Sequence, residues 1–511
     1  MNGAESLVRT LHRAGVRVCF ANPGTSEMQF VDALDRTNLL RCVLGLFEGV
    51  VTGAADGYAR MAGVPAVSLL HLAPGLANGG ANLHNARKAR TPMLTLVGDH
   101  SVRHLAYDAP LTADVAAAAA PFSDWVRTAT AAATIARDAA EGLAAATGQP
   151  GRVATLIAPA DIGWEEGGIV ADPVPPEPAR PLDEATLERA ARALAPDTLL
   201  LCGGTTLEEP ATLACLAGIA ARTGAALMAP TSNRRIERGA GLPVVPRIPY
   251  PVDMALKALA RFRRAVLIEA QLPVAFFAYP ERPSLLLPEG CETIALADFD
   301  QDGRHAAAAL ADLVGARAAV PVDPPRPAPP AEGPITAESL AAAVAAALPE
   351  GAIVVDESLT AGAHAYPATA GAPPMTWLSI TGGAIGIGVP LAAGAAIACP
   401  DRPVVALQAD GSAMYTLQGL WTQAREGCNV TTVILANRSY EILKAELFRV
   451  GANPGPSALD LLDLRRPELD FVALARGMGV GAVRVEDARG LHRALQAAVA
   501  EPGPTLIEAI L

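Results

Sequence analysis

The sequence has few of the features that mark secreted, membrane-bound or nucleic-acid-binding proteins. Its seven cysteines are scattered and include no pair separated by two residues. This usage indicates reduced thiols in a cytoplasmic protein rather than a disulfide framework. Positive charge is also scarce, since the net charge is −12 and the isoelectric point is near 5.2. An acidic chain of this kind is a poor partner for nucleic acid or an anionic membrane.

Long uninterrupted apolar segments are missing as well. The first residues are amphipathic and carry Glu5, so no signal peptide is evident. The stretch Gly382–Cys399 is uncharged over 18 residues, a length close to the minimum for a membrane span. Several glycines and Pro390 interrupt it. We therefore predict a glycine-rich loop that leads into a buried helix of a soluble protein.

Two proline-rich stretches, 171–181 and 319–334, divide the chain. Such stretches form neither helix interiors nor central strands and behave as semi-rigid linkers. They predict three domains of ordinary size, 1–170, 182–318 and 335–511.

Each of these parts alternates short apolar runs with helical stretches, which predicts three doubly wound parallel-sheet α/β domains. The predicted strands are 17–20, 66–70 and 93–97 in the first part; 198–201, 226–228, 265–268 and 293–296 in the middle part; and 352–355, 404–407, 431–435 and 505–509 in the last part.

Two polar residues follow neighbouring strands of the last part. Asp410 follows the run 404–407, Asn437 follows the run 431–435, and a predicted helix through Arg425 lies between them. Ligands of open parallel sheets bind at this edge, and carboxylate and amide oxygens suit Mg²⁺. The alternative is that Asp410 caps the helix and Asn437 occupies a turn. Spacing alone does not decide between these interpretations.

A single carboxylate, Glu48, interrupts an apolar run in the first part, Leu44–Val51. Burial of an unpaired carboxylate disfavours its charged form, which would suit a catalytic group. The alternative is a surface residue at the start of a helix, where Glu is common.

Motifs at both ends of the chain resemble those of thiamine diphosphate (ThDP) enzymes, in particular the group that includes benzoylformate decarboxylase and the acetolactate synthase catalytic subunit. The motifs are Asn22–Glu27, Glu48, Ala54–Arg60, Pro74-Gly75 with Asn78, and Asp410-Gly411 with Asn437. Ala409 replaces the first glycine of the family's G-D-G motif. The resemblance is weak in the middle part. It implies a pyrimidine-binding first domain, a central domain and a diphosphate-binding third domain.

The resemblance also implies cofactor ligands. Asp410, Asn437 and the backbone carbonyl of Ser439 would hold Mg²⁺ against the diphosphate of ThDP. Glu48 would hydrogen-bond the aminopyrimidine and so promote formation of the C2 ylide. Ile385 would lie under the bent cofactor, although ordinary core packing also explains an Ile there. The cofactor-binding set implied in full is Glu48, Ser358, Gly383, Ile385, Asp410, Gly411, Ser412, Asn437 and Tyr440.

The substrate residues implied by the resemblance are less complete. Thr25 and His71 align with the active-site Ser and His of benzoylformate decarboxylase, although a strand-end His is commonly structural. The second catalytic His of that enzyme has no counterpart, since Phe277 falls nearest its place. The loop residues His100 and His104 are candidate bases, or simply surface residues. A Glu at 446 suits a polar or cationic acceptor, or simply a helix surface. The remaining implied substrate residues are Asn78 and Ile442.

The predicted function is that of a ThDP- and Mg²⁺-dependent decarboxylase or carboligase that acts on a 2-oxo acid. The family implies a homodimer at least, and a homotetramer is the expected state. A nicotinamide-dependent dehydrogenase is disfavoured because Leu391 stands where G-x-G-x-x-G needs glycine. A catalytically silent scaffold is also disfavoured, because such a protein would need neither Glu48 nor Asp410. The sequence leaves open the oxo acid, its acceptor, and whether the middle domain binds FAD or a nucleotide.

Overall fold

The computed structural model describes residues 1–319 and 323–511, and its sheets form three parallel-sheet α/β domains. The proline-rich stretch 171–181 lies outside helices and strands, apart from an isolated bridge at Arg180. Residues 320–322 of the second predicted linker lie outside the described residues.

The first domain is built on a parallel sheet of order β2-β1-β3-β4-β6-β5. Its strands are β1 (Val18–Ala21), β2 (Arg41–Leu44), β3 (Ala66–His71), β4 (Met93–Asp99), β5 (Trp125–Thr128) and β6 (Val153–Pro159). Its helices are α1 (Gly3–Arg13), α2 (Met28–Thr37), α3 (Glu48–Ala62), α4 (Leu72–Ala89), α5 (Val115–Ala119), α6 (Ile135–Thr147) and α7 (Ala160–Trp164), with 3-10 turns at Thr25–Glu27 and Leu105–Tyr107. The three strands predicted here are present within two residues of the expected bounds.

The middle domain has a smaller parallel sheet of order β11-β10-β7-β8. The strands of this segment are β7 (Thr198–Cys202), β8 (Ala226–Met228), β9 (Ile236–Arg238), β10 (Arg264–Ile268) and β11 (Glu292–Ala297). Its helices are α8 (Glu184–Ala193), α9 (Pro210–Thr223), α10 (Val252–Leu259) and α11 (Gly303–Val314), with a 3-10 turn at Gly204–Leu207.

The third domain carries the sheet β16-β17-β15-β14-β12-β13-β9. Its own strands are β12 (Ile353–Glu357), β13 (Met375–Ser379), β14 (Val404–Ala409), β15 (Val430–Ala436), β16 (Gly481–Val485) and β17 (Thr505–Ile510). Its helices are α12 (Ala337–Ala347), α13 (Ala365–Ala368), α14 (Gly388–Ala398), α15 (Asp410–Ala413), α16 (Gly419–Glu426), α17 (Glu441–Arg449), α18 (Pro456–Asp460), α19 (Phe471–Gly477) and α20 (Ala488–Ala500), with a 3-10 turn at Thr369–Gly371.

The third sheet differs from the prediction of an all-parallel sheet in one strand. β9 comes from the middle segment and pairs antiparallel with β13 at the sheet's edge. An antiparallel edge strand is common on otherwise parallel sheets. The middle and third domains therefore share a sheet as well as a linker.

Glycines bring the first and third domains into close contact through α3 and α14. A Cβ on Gly394 would lie 1.9 Å from the carbonyl oxygen of Ala54, and one on Gly57 would lie 2.1 Å from that of Leu391. The predicted glycine-rich loop and buried helix at 382–399 are confirmed. Within the described parts of the chain, every helix is too short or too polar to cross a membrane.

The predicted single helix after Asp410 is wrong, because two helices, α15 and α16, are present with a break between them. In the break, the Thr416 hydroxyl donates to the carbonyl of Gly386 at 2.7 Å. The chain therefore follows the glycine loop of residues 382–388 before it becomes helical again.

Candidate active site

The ends of β14 and β15 bring Asp410 and Asn437 to one edge of the third sheet. Ala409 pairs with Leu435 in the parallel register, so both polar residues follow the last paired positions. Asp410 is buried, and its Oδ2 accepts the N–H of Arg438 at 2.5 Å. Burial raises the pKa of Asp410, which the N–H donors of Arg438 and Gly411 partly offset. The N-cap of α15 is Ala409 and not Asp410, so the capping interpretation of Asp410 is wrong.

Asn437 and the residues after it form a turn beside Asp410. The Asn437 Oδ1 accepts the N–H of Ser439 at 3.0 Å, and the Ser439 hydroxyl donates to the carbonyl of Leu462 at 3.2 Å. Asn437 is therefore in a turn, as the alternative interpretation had it, yet it still lies beside the buried carboxylate. Among the residues that the structure describes, no cluster of three His, Cys, Asp or Glu side chains could hold a metal ion. A Mg²⁺ site here would instead combine one carboxylate, one amide oxygen and a main-chain carbonyl, which are oxygen ligands of the kind Mg²⁺ prefers.

Gly411 and Ser412 follow Asp410 in α15, at the same edge of the sheet. A Cβ on Gly411 would lie 2.5 Å from the ring of Tyr440, so only glycine allows the backbone to pass beneath this ring. Ser412 is buried, and its hydroxyl donates to the carbonyl of Ala409 at 3.1 Å. The oxygen donors of Asp410, Asn437 and Ser439 therefore fit the Mg²⁺ that would accompany ThDP.

The glycine loop 382–388 is held by a buried carboxylate that sequence reasoning missed. Glu357 is the last residue of β12 and accepts the N–H groups of Gly386 and Gly388, both at 2.5 Å. Burial raises the pKa of Glu357 to about 7. Its neighbour Ser358, a predicted cofactor residue, is buried and donates to Asp356 at 2.6 Å.

The loop presents its predicted cofactor residues at the surface of the third domain. Gly383 is exposed and has a φ of +76°, a left-handed conformation that favours glycine. Ile385 is half-buried, whereas Ile387 is fully buried. Ile387 is thus the core residue of this loop, and the core-packing alternative does not describe Ile385.

Glu48 is the first residue of α3, in agreement with the helix-start interpretation. Its side chain is half-buried rather than enclosed by the apolar run, so the expectation of a buried unpaired carboxylate is wrong. The side chain of Asn78 donates to Glu48 Oε2 at 3.0 Å. A Cβ on Gly75 would lie 3.1 Å from Oε1, so the Pro74-Gly75 motif keeps space open beside the carboxylate.

His71 ends β3, and a carboxylate absent from the predicted site holds it in place. His71 Nδ1 lies 2.8 Å from Oε2 of Glu27 and 3.2 Å from the hydroxyl of Ser26. Glu27 is buried and also accepts the N–H of Gly24 at 2.7 Å. A Cβ on Gly98 would lie 1.7 Å from Glu27 Oε1, so this glycine makes room for the carboxylate. Because Glu27 is the acceptor, Nδ1 of His71 carries the proton, and Nε2 is available to contact another group.

Thr25 and His100 lie on loops at the same edge of the first sheet. Thr25 is exposed at the start of a 3-10 turn, and Ser26, not Thr25, contacts His71. His100 follows β4, and its ring lies 5.4 Å from that of His104. The substrate roles of Thr25 and His100 stay predictions. The Asn22–Glu27 motif did signal Glu27, since it places a carboxylate three residues after the turn glycine.

The helix α17 contacts the middle domain through Glu446. Glu446 accepts the hydroxyl of Tyr279 at 2.8 Å and pairs with Arg449. Its carboxylate is thus bound by groups of the chain itself and is not a bare helix-surface charge. Phe276, rather than Phe277, approaches the glycine loop, at 3.9 Å from a Cβ placed on Gly383. Phe277 is exposed and Ile442 is half-buried, and their substrate roles stay predictions.

Comparisons with known proteins show the family of this chain. The family model described as "Thiamine pyrophosphate enzyme, N-terminal TPP binding domain" matches residues 1–119, and the corresponding C-terminal TPP binding domain matches residues 359–509. A Mycobacterium tuberculosis protein named "Putative acetolactate synthase large subunit IlvX" is 52% identical over 515 residues, which cover 100% of this chain and 99% of that protein. Benzoylformate decarboxylase of Pseudomonas aeruginosa is 29% identical, with 98% of this chain and 96% of that enzyme covered.

Solved structures show the same fold. A ThDP-dependent 4-hydroxybenzoylformate decarboxylase of Rhodococcus jostii superposes with a TM-score of 0.85 at 24% identity, over 99% of this chain and 98% of that chain. Benzoylformate decarboxylase of Polynucleobacter necessarius gives a TM-score of 0.83 at 23% identity, over 100% of this chain and 99% of that chain. The chain belongs to the family of ThDP-dependent enzymes, in which thiamine pyrophosphate is another name for the cofactor. The resemblance drawn from the motifs is confirmed.

Proposed function

We propose that this chain is a ThDP- and Mg²⁺-dependent enzyme that decarboxylates a 2-oxo acid or joins it to a second carbonyl compound. The observation that carries the proposal is the buried Asp410 beside Asn437 at the shared edge of β14 and β15. Relatives named as an acetolactate synthase subunit and as a benzoylformate decarboxylase support it. When bound, ThDP supplies a nucleophilic carbon that attacks the oxo group and then stabilises the charge left by departing CO₂.

In this proposal each residue has a limited task. Asp410, Asn437 and the carbonyl of Ser439 bind Mg²⁺, and Gly411 lets the backbone approach the diphosphate. Glu48 holds the aminopyrimidine, while Asn78 orients the Glu48 carboxylate by the hydrogen bond at 3.0 Å. Orientation of this kind keeps one carboxylate oxygen free to accept a hydrogen bond from the cofactor.

His71 is the group best placed to move a proton at the substrate. Its Nδ1 is engaged by the buried Glu27, and its side chain is 24% exposed. Nε2 can therefore accept or donate a proton from a fixed ring, which is the arrangement that general acid–base catalysis needs.

We further propose that the complete site forms between two copies of the chain, with Glu48 from one and Asp410 from the other. Apolar side chains are exposed beside both carboxylates, namely Leu46 near Glu48 and Met414 and Tyr415 after Asp410, at 49%, 39% and 52%. Exposed apolar groups at a polar site suit burial against a second copy. Mixed dimers of Glu48→Gln and Asp410→Asn chains should then regain part of the activity that each variant lacks.

The test of the proposed function is a titration followed by a substrate screen. Calorimetry with ThDP and Mg²⁺ should show one cofactor bound per chain, and absence of binding would contradict the proposal. Pyruvate, benzoylformate and branched or polar 2-oxo acids should then be tested for CO₂ release, with and without an aldehyde. Cofactor binding without turnover of any 2-oxo acid would instead support a catalytically silent scaffold.

A further inference from the structure

The middle domain has a crevice at the position where open α/β sheets commonly bind ligands. β7 lies between β8 and β10, so the strand order reverses there. Gly203 and Gly204 follow β7, Glu269 follows β10, and the N-terminus of α11 lies nearby. Ligands bind at such reversals, and glycine-rich turns with helix N-termini bind phosphate groups.

The carboxylate of Glu269 occupies this crevice. Its Oε2 accepts the N–H of Thr205 at 2.5 Å, and its Oε1 accepts the N–H of Gly303 at 3.0 Å and the Thr205 hydroxyl at 3.0 Å. The next two N–H groups of α11 donate to its N-cap residue, Asp302. The backbone donors that could hold a phosphate are therefore already bound to carboxylates of the chain.

The shape of the crevice fits this side chain closely. A Cβ on Gly204 would lie 2.1 Å from Glu269 Oε2, and one on Gly303 would lie 2.6 Å from Oε1. Glu269 itself has a φ of +46°, a left-handed conformation that is unfavourable for a non-glycine residue. The hydrogen bonds from Thr205 and Gly303 offset this strain.

The same carboxylate lies at the contact between the first and middle domains. The Gln149 side chain, from the first domain, reaches Glu269 Oε1 at 3.3 Å and the carbonyl of Gln301 at 2.7 Å. The guanidinium of Arg90 lies over the ring of Phe299, and Arg234 donates to the Arg90 carbonyl at 3.2 Å. Burial raises the pKa of Glu269, while the two N–H donors and the charge of Arg234 lower it. A cavity of about 770 Å³ lies beside this cluster, between the two domains.

We propose that Glu269 is an internal ligand of the middle domain. Its carboxylate binds the N–H groups of Thr205 and Gly303, which could otherwise bind a phosphate. It also holds the first domain against the middle one through Gln149. A nucleotide or flavin would have to displace this buried carboxylate to reach the same N–H groups. The chain therefore works without a nucleotide or flavin in this crevice. This inference is independent of the proposed activity at Asp410 and Glu48.

The test uses the full-length protein and two kinds of probe. Calorimetric titrations of the native protein with ADP and, separately, with FAD should show no binding at concentrations up to ~1 mM. The variant Glu269→Gly empties the crevice and suits the positive φ, so formate should bind in place of the lost carboxylate. Formate should raise the Tm of this variant by roughly 2–4 °C in a saturable manner. Formate should leave the Tm of the native protein unchanged.

A matched control is Glu209→Gly, which removes a half-buried carboxylate of the same domain, paired with Arg304. Formate should not stabilise this control. One-to-one binding of ADP or FAD to the native protein overturns the proposal, and so does a Glu269→Gly variant that formate fails to stabilise. If Glu269→Gly does not fold, the test uses Glu269→Gln together with the ADP and FAD titrations of the native protein. The Tm of Glu269→Gln should lie several degrees below that of the native protein. An unchanged Tm overturns the proposal that Glu269 holds the two domains together.

Discussion

The carboxyl edges of the third and middle sheets place a buried carboxylate at equivalent positions with opposite results. Asp410 is the first residue of a helix, and its short side chain stays at the end of its own strand beside Asn437. Glu269, one methylene longer and in a left-handed conformation, reaches the N–H groups of Thr205 and Gly303. The sheet edge marks where a ligand can bind in both domains. The length and backbone conformation of one residue determine whether its carboxylate binds the N–H groups of the neighbouring loops.

Glu357 shows that both arrangements coexist in the third domain. Its carboxylate accepts the N–H groups of Gly386 and Gly388, as that of Glu269 accepts those of Thr205 and Gly303. Burial raises the pKa of both groups. The third domain thus uses one carboxylate to hold its glycine loop, whereas we propose that another, Asp410, binds the cofactor's Mg²⁺.

The largest effect is expected when the charge of Asp410 is removed from the edge of the third sheet. Asp410→Asn should lose Mg²⁺-dependent ThDP binding, because the buried charge that attracts the cation is gone. A metal ligand contributes several kcal/mol, so activity should fall by at least ~1,000-fold. Calorimetry and CO₂ release measure the two effects. Asp401→Asn, an exposed residue shortly before the opposite end of β14, should change neither, and normal ThDP affinity in Asp410→Asn would contradict the proposed site.

Glu48→Gln tests the half of the site that lies in the first domain. The variant should retain ThDP binding and Tm, because the side chain is half-buried and keeps its size. Activity should fall by about 10²–10³-fold, as expected for loss of a group that takes part in proton transfer. Steady-state CO₂ release and thermal unfolding measure the difference. The control Glu166→Gln changes an exposed side chain and should affect neither quantity. If Glu48→Gln lowers the Tm along with the activity, Glu48 has a structural role only.

Glu357→Gln tests how the buried carboxylate that holds the glycine loop makes the stability of the protein depend on pH. In the unfolded chain a Glu releases its proton near pH 4.5, whereas the pKa of Glu357 in the folded protein is about 7. Between these values the folded state binds the extra proton, so this group makes stability fall as pH rises from 4.5 to 7. The variant should lose this dependence, a difference on the order of 3 kcal/mol in unfolding free energy across that window.

The measurement for Glu357→Gln is thermal or urea unfolding at several pH values and one protein concentration. The variant should gain stability relative to the native protein as pH rises. Glu350→Gln, exposed in the turn that precedes β12, should leave the pH dependence unchanged. Parallel curves for Glu357→Gln and the native protein would show that Glu357 is ionised throughout.

Glu27→Gln should have a smaller effect on catalysis. The amide cannot hold the imidazolium form of His71 as a carboxylate does, so kcat should fall by about 10-fold with KM within ~3-fold. The pH dependence of kcat should also shift, which a purely structural change would not produce. Asp32→Asn on the exposed face of α2 is the control. An unchanged pH profile would remove Glu27 from the catalytic arrangement.

Glu446→Gln should have the smallest effect. Its carboxylate is already engaged by Tyr279 and Arg449, so it is not a free charge for a cationic acceptor. The ratio of kcat/KM for a cationic and a neutral 2-oxo acid should change by no more than ~5-fold, since one neutral hydrogen bond contributes about 1 kcal/mol. A tenfold change in that ratio would instead support the prediction that Glu446 suits a polar or cationic acceptor.

The amino-acid sequence was enough to predict the three α/β domains and the family of the chain. Apolar runs of strand length and the order of the motifs around Glu48, His71 and Asp410 depend on local spacing, which a single chain displays directly. It did not determine the partners of the buried carboxylates. Glu27 and His71 are 44 residues apart, and Glu269 and Thr205 are 64 apart. Such hydrogen bonds exist only because separate loops meet at a sheet edge. The transfer of β9 to the third sheet and the split between α15 and α16 were likewise decided by tertiary contacts, which override the local pattern.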